Sequence, residues 1–249
     1  MKRNKNNKPS LYGFHACRAA WLNPERIVEK LYITEQAKRG FEKTFLEAHH
    51  HGVRRPDPTI VDKRKLEKLL PKGAVHQGIA LSCNPLGELD VHDLIIKVHP
   101  KKRARIAMLD QVTDPHNVGA ILRSASAFGI DGMVMQRKHS PELSGVLAKT
   151  ACGGLEHVPV AHATNLSREI ESFQRAGFTV FGMDERGESF SKDMISGKTL
   201  LVLGSEGSGL RPLVKQHCDK LFSLPTQGQI SSLNVSNAAA VAFFATMDG

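Results

Sequence analysis

Beyond residue 105, short apolar runs at Ile106–Leu109, Gly132–Met135, Phe178–Met183, Thr199–Leu203 and Lys220–Leu224 alternate with stretches of helical periodicity. Strands separated by helices cannot join as tight hairpins, and each helical crossover returns the chain in its original direction. The alternation therefore predicts a parallel α/β sheet. The earlier part of the chain reads as a smaller α/β unit. It has a helical stretch around His15–Leu22, a strand at Val28–Ile33, a helix over Thr34–His50 and a Lys-rich helix at Asp62–Leu70. Between the two regions, Lys97–Arg105 holds a proline and five cations directly before the first apolar strand, the pattern of a hinge. The expected organisation is a mobile basic arm at 1–10, a small α/β domain at 11–90, a basic linker at 91–105 and the parallel α/β domain at 106–249.

Charge divides along the same line. The chain carries +9, from 34 Lys+Arg against 25 Asp+Glu, but residues 1–105 hold 22 basic and 11 acidic residues and the remainder is slightly acidic. A basic module joined to a near-neutral one fits a division of labour, with general phosphate affinity in front and particular chemistry behind. With 41% hydrophobic and 24% charged residues, the chain is neither disordered nor collagenous. No run approaches the roughly 18 apolar residues of a membrane span, and MKRNKNNKPS lacks the apolar centre of a leader, so a cytoplasmic protein is expected. Cys17, Cys83, Cys152 and Cys218 lie far apart without a C-x-x-C pair, which argues against a zinc ribbon or a disulfide framework.

Three segments of the second domain hold more polar and glycine residues than a fold alone needs. The first leaves a strand at Leu109, turns at Asp114-Pro115 and enters a helix with apolar Val118, Ile121, Leu122, Ala125 and Phe128, closed by Gly129. Arg123 falls off that stripe, beside Gly119, Ser126 and Ala127, where small neighbours leave room for a ligand next to a cation. The second, Leu200–Leu210, is an apolar strand running into a loop with Gly204, Gly207 and Gly209. Its G-x-x-G-x-G spacing, Glu206 and the lack of a following Lys-Ser/Thr exclude a nucleotide phosphate loop and a nicotinamide fingerprint. The third passes Pro225 and Gly228 into Ser231, Ser232, Asn234, Ser236 and Asn237, more neutral polar groups than a helix cap requires, before an Ala-rich helix.

Together the three segments resemble the SpoU/TrmH family of RNA ribose 2'-O-methyltransferases, in the SPOUT superfamily. The family's N-x-G-x-x-x-R core stands as Asn117, Gly119 and Arg123, its G-x-E-G-x-G as Gly204, Glu206, Gly207 and Gly209, and its S-L-N-V-S as Ser232–Ser236. Tyr12-Gly-Phe-His-Ala16 and Gly73–Ile79 resemble the ribosomal-protein-like RNA-binding domain that precedes the catalytic domain in the subgroup acting on large-subunit rRNA guanosine. Thr226 stands where that subgroup commonly has methionine, and Asn237 where it has valine.

The resemblance implies a C-terminal domain knotted as a trefoil, S-adenosylmethionine as cofactor, and transfer of its methyl group to the ribose 2'-hydroxyl of a 23S rRNA guanosine. It implies cofactor contacts at Gly204, Leu224 and Leu233, flanked by Leu203 and Ile230. It implies reactive roles for Arg123, Asn117, Glu206, Ser232 and Asn234. Partners would be ribosomal RNA or a ribosome assembly intermediate and a second copy of the chain, with no metal and no membrane. Arg123 could serve as the base for the hydroxyl, but a guanidinium is a poor proton acceptor, which also leaves the roles of phosphate clamp and alkoxide stabiliser. His116, beside Asn117, reads as a turn residue. The alternatives are the same chemistry on a tRNA guanosine, and a silent RNA-binding assembly factor.

Overall fold

The computed structural model describes residues 8–191, 195–229 and 232–247. Most of the expected arm at 1–10 lies outside them, as does Ile230. In chain order the elements are β1 (Leu11–Tyr12), α1 (Phe14–Leu22), β2 (Val28–Ile33), α2 (Glu35–His50), β3 (Thr59–Ile60), α3 (Lys63–Leu69), β4 (Ile79–Cys83), α4 (Val91–Val98), β5 (Ala104–Asp110) and α5 (Pro115–Ala127). There follow β6 (Gly132–Gln136), α6 (Gly145–Thr150), α7 (Gly154–His157), β7 (Val160–Ala163), α8 (Leu166–Arg175), β8 (Phe178–Ser189), β9 (Lys198–Gly204), α9 (Pro212–His217), β10 (Lys220–Ser223) and α10 (Val235–Ala245). They form two compact units, one of residues up to Gly87 together with Glu142–Glu156, the other of Glu88–Pro141 and His157 onward.

The first unit is built on a sheet in the order β1-β4-β2-β3, in which β4 is antiparallel to β1 and β2 while β2 and β3 run parallel. The Thr34 hydroxyl caps α2 and the Asp62 carboxylate caps α3, each accepting from a first-turn N–H. Phe41 on α2 is fully buried and meets Trp21 and Phe45 edge-on at 6.2 and 5.1 Å. The excursion Glu142–Glu156 joins this unit: Gly145 N–H donates to the Ser10 carbonyl at 2.9 Å, and the Glu156 carboxylate meets Arg26 at 2.6 Å with both side chains buried. Nothing in the local composition of residues 142–156 marks them as part of the front unit, because the partner is set by tertiary pairing.

The second unit carries a parallel sheet, six-stranded among the described residues, in the order β10-β8-β9-β5-β6-β7. The five apolar runs read from the sequence are its strands β5, β6, β8, β9 and β10. β7, Val-Ala-His-Ala, has no continuous apolar run and was not among them. Residues 91–98, expected within the basic linker, form α4 instead. An Asp90–Asp93 capping box starts it, and Val91, Leu94 and Val98 are buried in the core beside Ile106, Val134 and Leu200. The cations that follow drew the reading toward a linker, whereas the apolar spacing of Val91, Leu94, Ile95 and Val98 fits a packed helix. The four cysteines are free thiols, and burial pushes that of Cys218 up to about 12. No described helix is long and apolar enough to cross a membrane.

Candidate active site

Loops leave the C-terminal ends of β5, β8, β9 and β10, the side of a parallel sheet where ligands commonly bind. After β5 the Asp114 carboxylate accepts from the His116 N–H at 3.1 Å, and Pro115 opens α5, so Asn117 falls in the first turn of the helix. After β9 the chain closes on itself: Gly209 N–H donates to the Ser205 carbonyl at 3.0 Å, and Gly207 and Gly209 take φ of 79° and 62°. A Cβ on Gly204 would lie 2.3 Å from the Gly209 carbonyl carbon, so only glycine fits under this loop. Before α10, the Asn234 side chain caps the helix, accepting from the Ser236 N–H at 2.9 Å and its hydroxyl at 2.6 Å.

These three starts converge. Asn117 Nδ2 donates to Glu206 Oε1 at 3.0 Å, Asn234 Nδ2 donates to Asn117 Oδ1 at 3.0 Å, and Asn234 Nδ2 also contacts Glu206 Oε1. The carboxylate orients both amides, since only an N–H can face it, and one motif from each polar segment enters the ring. Beside it lies a cleft of about 1060 Å³ whose lining includes Leu203, Gly204, Glu206, Leu224, Ser232 and Leu233. Six expected site residues thus share one cavity. Arg123 lies apart: six residues beyond Asn117, it is turned about 120° round α5, exposed, and without a hydrogen-bond partner among the described residues. His116 is exposed and uses its backbone N–H in the turn.

Two features of this region escaped the sequence. Met183–Gly187 swings out of the ladder between the pairs Gly182–Leu221 and Glu188–Phe222, and Met183 to Arg186 line the cleft. The charged run Asp184-Glu185-Arg186 directly after an apolar strand was the available signal. The second is Asp110, fully buried at the end of β5, which accepts from the Arg211 N–H at 2.8 Å and its Nε at 2.7 Å and so ties the far end of the glycine loop to the sheet.

Within the cleft Lys215 Nζ donates to Asp184 Oδ2 at 2.7 Å. Burial pushes the Asp184 carboxyl up, but the bonds from Lys215 and the Arg186 N–H and the charges of both residues bring it below its ordinary value. A depressed folded-state pKa stabilises above the unfolded value, and the contribution is lost as pH falls through the folded one. Asp184→Asn is therefore expected to lower Tm at neutral pH and to flatten the decline of Tm below about pH 4. Thermal melts of both proteins across that range check it.

Comparison with known proteins converges on one family. Residues 104–244 match the SpoU rRNA Methylase family, and residues 10–89 match the RNA 2'-O ribose methyltransferase substrate binding family. The chain is 35% identical over 239 residues to the 23S rRNA (guanosine-2'-O-)-methyltransferase RlmB of Pasteurella multocida, covering 94% of this chain and 96% of that one. It is 37% identical over 240 residues to the RlmB of Photorhabdus laumondii, with 94% and 95% covered. The fold matches the SpoU methyltransferase AviRb from Streptomyces viridochromogenes, solved with AdoMet, at a TM-score of 0.75 and 23% identity over 99% of this chain and 92% of that one. An AdoMet-bound rRNA methyltransferase from Sinorhizobium meliloti matches at a TM-score of 0.75 and 20% identity, with 98% and 88% covered. With a family match across more than half its length and relatives above 30% identity along nearly all of it, the chain belongs to the SpoU rRNA methylase family.

Proposed function

We propose that this protein transfers a methyl group from S-adenosylmethionine to the ribose 2'-hydroxyl of a guanosine in 23S ribosomal RNA, as a cytoplasmic homodimer whose basic front unit holds the RNA. The observation that carries the proposal is the closed ring of Asn117, Glu206 and Asn234, whose Glu206 also lines a cleft built from three strand-end loops. The names of the curated relatives and the substrate-binding match over residues 10–89 support the substrate.

The cleft suits this cofactor by its own construction. It has no phosphate-binding lysine motif, it combines apolar Leu203, Leu233 and Val235 with carboxylates at Glu206 and Asp184, and Gly204 lines it beside them. In this reading the loops after β9 and β10 are the threaded part of a trefoil knot, and backbone at Leu203–Gly204, Leu224 and Leu233 holds the ligand. S-adenosylmethionine supplies a sulfonium methyl that is already electrophilic. The protein's work is then to align the acceptor hydroxyl and manage its proton.

Asn117 and Asn234 present amides fixed by Glu206, and Ser232 adds a hydroxyl on the cleft wall, so ribose oxygens meet preset partners. Arg123 ends in a planar guanidinium with donors on every nitrogen. It acts as a cation, clamping the adjacent phosphate and lowering the energy of the developing alkoxide, while the hydroxyl proton leaves to water or a phosphate oxygen. Its angular distance from Asn117 favours a site completed across a dimer, with the Arg123 of one copy serving the ring of the other. Exposed Val241 and Phe244 on α10, 46% and 60% accessible, offer an apolar face for that contact.

The test is transfer from labelled S-adenosylmethionine to unmodified 23S rRNA, tRNA and pre-ribosomal particles, followed by nucleoside analysis. The expected product is 2'-O-methylguanosine in rRNA, reduced at least about 100-fold by Arg123→Ala with cofactor binding retained. Product on tRNA alone would overturn the substrate, and no cofactor binding by the intact protein would overturn the reaction.

A further inference from the structure

Asn117 and Asn234 stand at the starts of α5 and α10, and a single side chain ties the opposite ends of the same two helices. Arg105, on β5, donates from Nη2 to the Phe128 carbonyl at 2.6 Å and the Gly129 carbonyl at 3.2 Å, closing α5. From Nη1 it donates to the Phe243 carbonyl at 3.2 Å and the Thr246 hydroxyl at 3.4 Å, closing α10. Its own backbone is held in turn: the Arg105 N–H donates to Asp131 Oδ2 at 2.8 Å, and the Asp131 N–H donates to the Arg105 carbonyl at 2.8 Å.

On the proposed methyltransferase reading, we propose that Arg105 is a positioning residue that sets the relative placement of Asn117 and Asn234 by locking the C-terminal ends of α5 and α10 together. Helix C-termini leave carbonyls without intrahelical partners and carry partial negative charge, so a cation there is favourable twice over. The planar guanidinium matters as much as the charge. Its two terminal nitrogens point to different helices at once, which a lysine ammonium on a flexible stem does not reproduce with fixed angles.

α5 reaches roughly 16 Å from Asn117 to Phe128. A helix of that length moves as a rod, so slack at the Arg105 end becomes displacement at the Asn117 end, where a ring of three side chains tolerates little. The Phe128 and Phe244 rings also meet at these ends, edge-on at 5.9 Å, but a ring contact fixes direction less firmly than the paired hydrogen bonds. The Gly129 φ of 67° turns the chain away from α5 directly after its last carbonyl and leaves that carbonyl open to the guanidinium.

Steady-state kinetics of Arg105→Lys and Arg105→Gln in the full-length chain test the proposal, with a double-mutant cycle against Asn117→Ala and circular dichroism as a check on folding. The expected result is a kcat lowered about tenfold in Arg105→Lys, a KM for rRNA within about twofold of wild type, and no further loss from Arg105→Lys once Asn117 is alanine. Losses that multiply in the double variant, or a folded Arg105→Lys and Arg105→Gln with wild-type kcat, would overturn it. Arg105→Gln covers the case in which lysine still bridges both ends. Failure of the wild-type protein itself to methylate RNA would instead count against the reading on which the proposal rests.

Discussion

Arg26→Met is expected to lower the stability of the first unit by about 3–5 kcal/mol, because it leaves the Glu156 carboxylate buried without its cation. The pair is 3% and 2% exposed, with Nη2 at 2.6 Å and Nε at 3.2 Å from the two carboxylate oxygens. Arg26 Nη1 also donates to the Asn84 carbonyl at 2.8 Å, and Asn23 Nδ2 donates to Glu156 at 2.8 Å, so the loss spreads through a network rather than one bond. Trp21 is the sole tryptophan and is buried in this unit, so its fluorescence in a urea titration reads the effect directly. Removing both charges with Arg26→Met and Glu156→Leu together is expected to recover most of the loss, since an apolar pair carries no desolvation penalty. A change below 1 kcal/mol in Arg26→Met would mean that water reaches the carboxylate and that the pair does not anchor the excursion.

Gly204→Ala is expected to weaken S-adenosylmethionine binding and methyl transfer by about 100-fold, the scale of a displacement near 1 Å at a reactive site. The added methyl would sit 2.3 Å from the Gly209 carbonyl carbon and 2.5 Å from both the Gly209 oxygen and the Leu210 nitrogen, all backbone atoms that no rotamer change can clear. The loop would have to open at the Ser205–Gly209 bridge and carry Glu206 away from Asn117 and Asn234. Gly207→Ala is the control. No atom lies within 4 Å of its Cβ position, so only the φ of 79° is penalised, by about 1–2 kcal/mol. Calorimetric titration of cofactor into both variants separates the cases, and equal affinities would remove the crowding at Gly204 as the reason for that glycine.

What could be read from the chain followed from local pattern. The apolar runs became five strands of the parallel sheet because strands buried on both faces leave a continuous signal. Asn117, Glu206 and Asn234 were legible as members of three polar segments, and the structure brings them within hydrogen-bond distance of one another. α4 was obscured by the lysines behind it, and β7 by its small and polar residues. Pairings across the chain left no local trace at all. Arg105 read as one more cation in a hinge, although its acceptors are carbonyls, which every residue carries. The outward loop of β8 was hidden because an interrupted ladder depends on the neighbouring strand, not on the strand's own sequence.

The buried Glu156 has a consequence for how the protein is made. Domains generally fold as they leave the ribosome, in order from the N-terminus. Here the first unit has most of its chain by Gly87 but receives the counter-charge for Arg26 only at residue 156, after β5, α5 and β6 of the second unit have been synthesised. For a delay on the order of several seconds of translation, the nascent front unit lacks the carboxylate that Arg26 meets in the finished protein. Its maturation is thereby tied to that of the unit it precedes.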